Sequence, residues 1–177
     1  MRVSLAFTLL VFRIFSALNM PIVSDDERTE LYLRVWSQAT DEVRQELPIE
    51  YQAAACGMTT NEFEFMARVV QAESDGSYDW SDLEDKILIA AVILNRVQSG
   101  SFRNSIEGVL TEPGQFSTVS GSRCSCSYSA SSRWAIVEAQ RRLANDEIPN
   151  DLLYFNCIGY NYGTAYGCYG GNYFSRG

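Results

Sequence analysis

The stretch SDLEDKILIAAVILNRVQSG, residues 81–100, constrains this chain more than any other. Ser81 and Glu84 stand at the spacing of a capping box, which opens a helix. Leu83, Ile87, Ala90, Leu94 and Val97 then recur on one stripe, and Ile89, Val92 and Ile93 make the other sides apolar too. A helix apolar nearly all round cannot lie on a surface, so other elements have to surround it. Gly100 is its natural stop. Asn95 and Arg96 form a polar pair near its end and are expected to cap the carbonyls of its last turn. With 177 residues, the chain can wrap such a helix within one domain.

Other helices carry their own signals. Ser24 with Glu27 forms a capping box, followed by Leu31, Val35, Ala39 and Val43 at helical spacing. A short apolar piece follows Pro48 and ends at Gly57. Thr59 with Glu62 opens a helix with Phe63, Met66 and Val70 on one face and Phe65, Val69 and Ala72 beside it. A last helix is expected from about Ser132 to Asn145, with Trp134, Val137 and Leu143 inward. Residues 101–130 are rich in Ser, Gly and Pro, and Pro113-Gly114 marks a turn. The tail, LLYFNCIGYNYGTAYGCYGGNYFSRG, is crowded with Tyr, Phe and Gly and is expected to form short irregular strands around loops. The expected class is mostly α (α+β), with a loop-rich, aromatic C-terminal half.

Composition removes whole classes of chemistry. The chain has no histidine, which excludes Ser-His-Asp and Cys-His catalysis, His-ligated zinc and a histidine pH switch. Lys86 is its one lysine, and no Gly-rich phosphate loop surrounds it. The formal charge is −8, from 14 basic and 22 acidic residues, which argues against a nucleic-acid partner. Any catalysis must run on carboxylates, hydroxyls, thiols or amides.

Residues 1–20, MRVSLAFTLLVFRIFSALNM, have the pattern of a secretory signal peptide: Arg2, an apolar run from Val3 to Phe12, and small residues at Ser16 and Ala17. Arg13 interrupts that pattern, and Phe15 is large for its place before a cut. Beyond this leader no segment is apolar enough to span a membrane, so a secreted, extracytoplasmic protein with no stable membrane insertion after leader removal is expected. Export permits disulfides. Cys157 and Cys168 flank an aromatic, Gly-rich loop and are the most natural pair among Cys56, Cys124, Cys126, Cys157 and Cys168. A four-thiolate zinc site is a weaker alternative, because Cys124 and Cys126 lack the usual spacer.

Glu73 stands out by position, at the C-terminal end of the Phe63–Ala72 helix. The negative end of a helix dipole opposes ionisation there and favours the protonated form that a general acid needs. The strings ARVVQAESDG, IAAVILNRV, PGQFS and LLYFN…GGNYF follow in that order. Together they resemble the cell-wall hydrolase family that includes the spore cortex-lytic enzymes of endospore-forming bacteria, over roughly residues 62–175.

The resemblance implies a lysozyme-like single domain that cleaves peptidoglycan glycan strands as a lytic transglycosylase. It implies that Glu73, in the Ala-Glu motif, is the catalytic acid, and that Gln115, Phe116 and Ser117 line the substrate groove. Tyrosines can stack on sugar faces, and Tyr154 and Tyr173, with Asn172 between the tail glycines and Tyr173, are the tail candidates for substrate binding. The implied organisation is a leader at 1–20, an N-terminal helical segment at 21–58 and a catalytic domain at 59–177. The chemistry calls for no cofactor and no metal, and the partner is the glycan strand. One glutamate suffices if the muramic acid 6-hydroxyl attacks its own anomeric carbon; Asp75, Asp79, Glu107 and Glu112 are candidates for a second carboxylate, as in a hydrolytic muramidase.

Two departures from the family pattern bear on substrate preference. Its tail motif commonly carries a histidine, where this chain has Gly171-Asn172-Tyr173-Phe174; and Asp75-Gly76-Ser77 replaces the usual step after Ala-Glu. The alternatives they leave open are a catalytically silent peptidoglycan-binding module and a structural protein in which Glu73 is a surface residue.

Overall fold

The computed structural model describes residues 24–74, 78–121 and 123–177. The leader expected at 1–20 lies outside them, as do Asp75, Gly76 and Ser77. About 51% of the described residues are helical. The helices are α1 (Asp25–Gln38), α2 (Asp41–Glu46), α3 (Ile49–Ala55), α4 (Thr60–Glu73), α5 (Leu83–Gln98), α6 (Ile106–Leu110) and α7 (Ala130–Ala144). The strands are β1 (Val119–Ser120), β2 (Arg123–Cys124), β3 (Leu152–Asn156), β4 (Thr164–Tyr169) and β5 (Asn172–Arg176). The chain divides into two compact units between Thr60 and Asn61.

In the N-terminal unit the expected capping box forms. The Glu27 amide donates to Ser24 Oγ at 3.3 Å, and the Ser24 amide donates to Glu27 Oε2 at 2.9 Å. The helix read as running through Val43 breaks at Ala39, whose backbone is extended, and restarts as α2 after Thr40. The break lets Val35, Ala39, Leu47 and Tyr51 converge into a small core, with the Tyr32 and Tyr51 rings 4.4 Å apart.

The C-terminal unit is built around α5, as its composition requires. Every side chain from Ile87 to Ile93 is buried, and α6, α7 and β3 pack against the helix. Its start differs from the sequence pattern: Ser81 donates from both its amide and hydroxyl to Asp79 Oδ1, and Asp82 takes the cap position without a side-chain bond. Lys86 is buried and donates to Ser131 Oγ at 2.9 Å and to the Asp79 carbonyl at 3.1 Å. Burial pushes its ammonium below the usual lysine range.

The end of α5 also differs. Asn95 and Arg96 do not cap the last turn. Asn95 Nδ2 donates to the carbonyls of Pro149 and Leu152, both at 3.0 Å, and Arg96 Nε donates to that of Leu153 at 2.8 Å. The polar pair therefore pins β3 to the central helix. A three-stranded antiparallel sheet follows, in the order β3-β5-β4. The Gly170–Gly171 turn joins β4 to β5 with φ values of 53° and 86°, a positive-φ pair that a two-residue hairpin of this hand needs. α7 starts two residues earlier than expected, because Ser129 with Ser132 forms its capping box. Among the described residues no helix is long and apolar enough to cross a membrane.

Candidate active site

Glu73 is the last residue of α4. The helix is held from behind by the buried side chains of Phe63, Met66, Ala67 and Val70, so its final turn has a fixed direction. Arg68 adds a second hold: it donates to the Cys126 carbonyl at 2.7 Å and lies over the Tyr128 ring at 5.1 Å.

Glu73 opens onto a cleft of about 550 Å³. Its lining comes from the loop after α6, with Gln115, Ser117 and Thr118, from the end of β3, with Phe155, Asn156 and Cys157, and from the Gly170–Gly171 turn and Asn172. Among the described residues lining the cleft, Glu73 is the only ionisable carboxylate. Thr118 Oγ1 donates to its Oε1 at 2.7 Å. Asn172 Nδ2 donates at 3.2 Å to the Glu73 backbone carbonyl and at 3.0 Å to Oδ1 of the buried Asp85.

Chemically, the described residues of the cleft present one part-buried carboxyl group among side-chain amides, hydroxyls, the Cys157 thiol and backbone. That set can exchange a proton at one point and hydrogen-bond a hydroxyl-rich ligand around it. Among the described residues no group of three or more Cys, Asp or Glu side chains could hold a metal ion.

The structure brings together Glu73, Gln115, Ser117 and Asn172 from the residues singled out in the sequence. Phe116 points the other way, between its two lining neighbours. It is 4% exposed, 6.2 Å from the Phe155 ring and under the Arg96 guanidinium at 5.6 Å. It anchors the loop that carries Gln115 and Ser117. Tyr154 is outside the cleft lining and packs with Phe102 and Tyr162, at 6.3 and 5.5 Å. Tyr173 is also outside it and meets the edge of Tyr160 at 5.1 Å.

Cys157 and Cys168 are both free and exposed, and the expected pair does not form. β5 runs between their strands, with Tyr173 opposite both Asn156 and Cys168. Two strand spacings put about 10 Å between the outer backbones, beyond disulfide reach. Cys157 instead lines the cleft. Of the proposed second carboxylates, Asp79, Glu107 and Glu112 are absent from the lining, and Asp75 is outside the described residues.

Sequence reasoning missed Thr118 and Asp85. Thr118 carries no signal beyond its place after Gln-Phe-Ser. Asp85 reads as an ordinary acidic residue in the first turn of a helix, where the dipole favours it.

The cell wall hydrolase family model matches residues 80–162. A spore cortex-lytic enzyme of Bacillus cereus is 34% identical over 100 residues, covering 56% of this chain and 36% of that protein. The Bacillus subtilis spore cortex-lytic enzyme is 33% identical over 102 residues, covering 56% and 31%. The chain thus spans about a third of the length of these relatives. The catalytic domain of a germination-specific lytic transglycosylase, SleB from Bacillus anthracis, superposes with a TM-score of 0.54 at 28% identity, covering 68% of this chain and 98% of that one. The fold is accordingly α+β and lysozyme-like.

Proposed function

We propose that this chain, which carries a cell wall hydrolase domain of the spore cortex-lytic type, cleaves the glycan strands of peptidoglycan as a lytic transglycosylase. One observation carries the reading: a single carboxyl group, Glu73, among the described residues of a polar cleft. A glycosidase of the retaining type needs a second carboxylate about 5–5.5 Å from the first. A transglycosylase does not, because its nucleophile is on the substrate.

Protonated Glu73 gives its proton to the glycosidic oxygen as the bond to the anomeric carbon breaks. Positive charge develops on that carbon and the ring oxygen. The Glu73 carboxylate then takes the proton of the muramic acid 6-hydroxyl as that oxygen bonds to the anomeric carbon. The product is a 1,6-anhydro ring, and Glu73 ends protonated for the next cycle. The Thr118 hydroxyl holds the carboxylate in one rotamer through both steps. Gln115, Ser117 and Asn156 offer amides and hydroxyls to the sugar hydroxyls and N-acetyl groups.

The reading includes export through the leader at 1–20, since peptidoglycan lies outside the cytoplasmic membrane. The domain organisation proposed with it is an N-terminal helical segment at 21–58 ahead of a catalytic domain at 59–177. A charge of −8 gives no long-range attraction to anionic walls. The test is release of soluble fragments from purified peptidoglycan. The wild type should release them and Glu73→Gln should not; equal release by both would overturn the assignment of Glu73.

A further inference from the structure

Asp85 lies in the first turn of α5 and is 1% exposed. A carboxylate that deep is costly unless its oxygens are hydrogen-bonded. Both are within reach of one group: Asn172 Nδ2 lies 3.0 Å from Oδ1 and 3.2 Å from Oδ2. The same nitrogen donates to the backbone carbonyl of Glu73 at 3.2 Å. That carbonyl is among the last four of α4 and has no partner within its own helix. The Gly170–Gly171 turn rests directly on Asp85, where a Cβ at Gly170 would come within 2.6 Å of Asp85 Cβ and Cγ. The turn and Asn172 also line the cleft.

Both partners of the Asn172 amide are acceptors only. This leaves the amide one orientation, nitrogen toward Asp85 and Glu73. We infer that Asp85 is a positioning residue for Glu73: it fixes the Asn172 amide, which holds the last carbonyl of α4 and so the backbone from which the Glu73 carboxyl projects. The inference rests on the function proposed above and deepens it. Reacting groups must be held to a fraction of an ångström, and a displacement of about 1 Å can cost a hundredfold in rate.

The test uses the full chain and soluble glycan strands stripped of stem peptides, with kcat, KM and Tm measured for wild type, Glu73→Gln, Asp85→Asn, Asn172→Asp and the double swap. In Asp85→Asn the facing amide can present either end, so Asn172 can turn over and release the Glu73 carbonyl. The expected result is a kcat about tenfold lower or more with KM within about twofold. The double swap restores an amide–carboxylate pair and should recover the Tm lost in Asn172→Asp. It leaves no side-chain N–H at position 172 for the Glu73 carbonyl, so kcat should remain low. Wild-type kcat in Asp85→Asn, or recovery of kcat together with Tm in the double swap, would overturn the inference. If the wild type cleaves no glycan, the proposed function falls, and the Asn172 side-chain amide decides Asp85 separately. Its NMR resonances should be protected from exchange in the wild type and lose protection in Asp85→Asn; unchanged protection would overturn the role of Asp85.

Discussion

Thr118 Oγ1 donates a 2.7 Å hydrogen bond to Glu73 Oε1 across 45 residues of sequence. It joins the end of α4 to the loop after α6, and it sets the direction of the carboxyl group within the cleft. Phe116, buried under Arg96 two residues earlier, fixes that loop. The core thus reaches the Glu73 side chain through a short link.

Removing that link should slow the reaction with little effect on folding. A hydrogen bond to a charged group contributes about 1.5–3 kcal/mol, so Thr118→Val should lower the rate of glycan cleavage by about tenfold or more. Thr118→Ser, which keeps the hydroxyl, should stay within about threefold of wild type. Initial rates of fragment release check both. A Thr118→Val enzyme as fast as wild type would show that the bond does not orient Glu73 in the reacting complex.

The clamp between α5 and α7 predicts a loss of stability in acid. Arg142 donates to Glu84 at 2.8 Å and to Glu138 at 2.9 Å, and Arg141 also grips Glu138. Hydrogen bonds from Arg141, then Arg142, hold the Glu138 carboxyl below its ordinary value of 4.5, with burial opposing them. The folded state therefore binds fewer protons than the unfolded one in this range. The contribution is complete above 4.5 and is lost as pH falls from there through the lowered folded value. Thermal melts should place Glu138→Gln about 3 °C below wild type at pH 7, for a contribution on the order of 1 kcal/mol. The gap should close as pH drops below 4.5. A gap that is constant with pH would contradict the clamp.

Thiol labelling reports the cleft wall. Cys157 and Cys168 are exposed, whereas Cys56 is buried and its thiol is pushed up to about 12. A bulky maleimide should modify Cys157 and Cys168 in the native chain and leave Cys56 untouched, as read by mass spectrometry. Labelling should block glycan cleavage, because Cys157 lines the cleft. Cys157→Ser should protect activity from the reagent, and Cys168→Ser should not. Equal inactivation of the Cys157→Ser protein would contradict this placement.

The central helix was legible because its periodicity leaves no polar face, and burial from Ile87 to Ile93 follows from that pattern. The Ser24 box was legible because capping is local, with donor and acceptor three residues apart. The same local pattern misled at Ser81, where Asp79 offers a nearer acceptor and takes both of its donors. Asn95 and Arg96 look like caps in sequence because their true partners, the carbonyls of Pro149 and of Leu152 and Leu153 in β3, are more than fifty residues away. The small strands are set by the Gly170–Gly171 turn and by pairing, not by alternation, so the tail read only as irregular. Within the site, motif position picked out Glu73, Gln115 and Ser117. It could not tell which of three consecutive side chains turns inward, and Phe116 does. Asp85 and Thr118 act through contacts that only the folded chain creates.

The most direct test of the account is the reducing end of the product. Purified peptidoglycan is digested with the full chain and with Glu73→Gln, and the soluble fragments are weighed by mass spectrometry. The account predicts 1,6-anhydro-muramic acid ends from the wild type and no soluble fragments from Glu73→Gln. Free reducing muramic acid ends would contradict transglycosylation and make water the nucleophile. Anhydro ends from both proteins would contradict the role of Glu73.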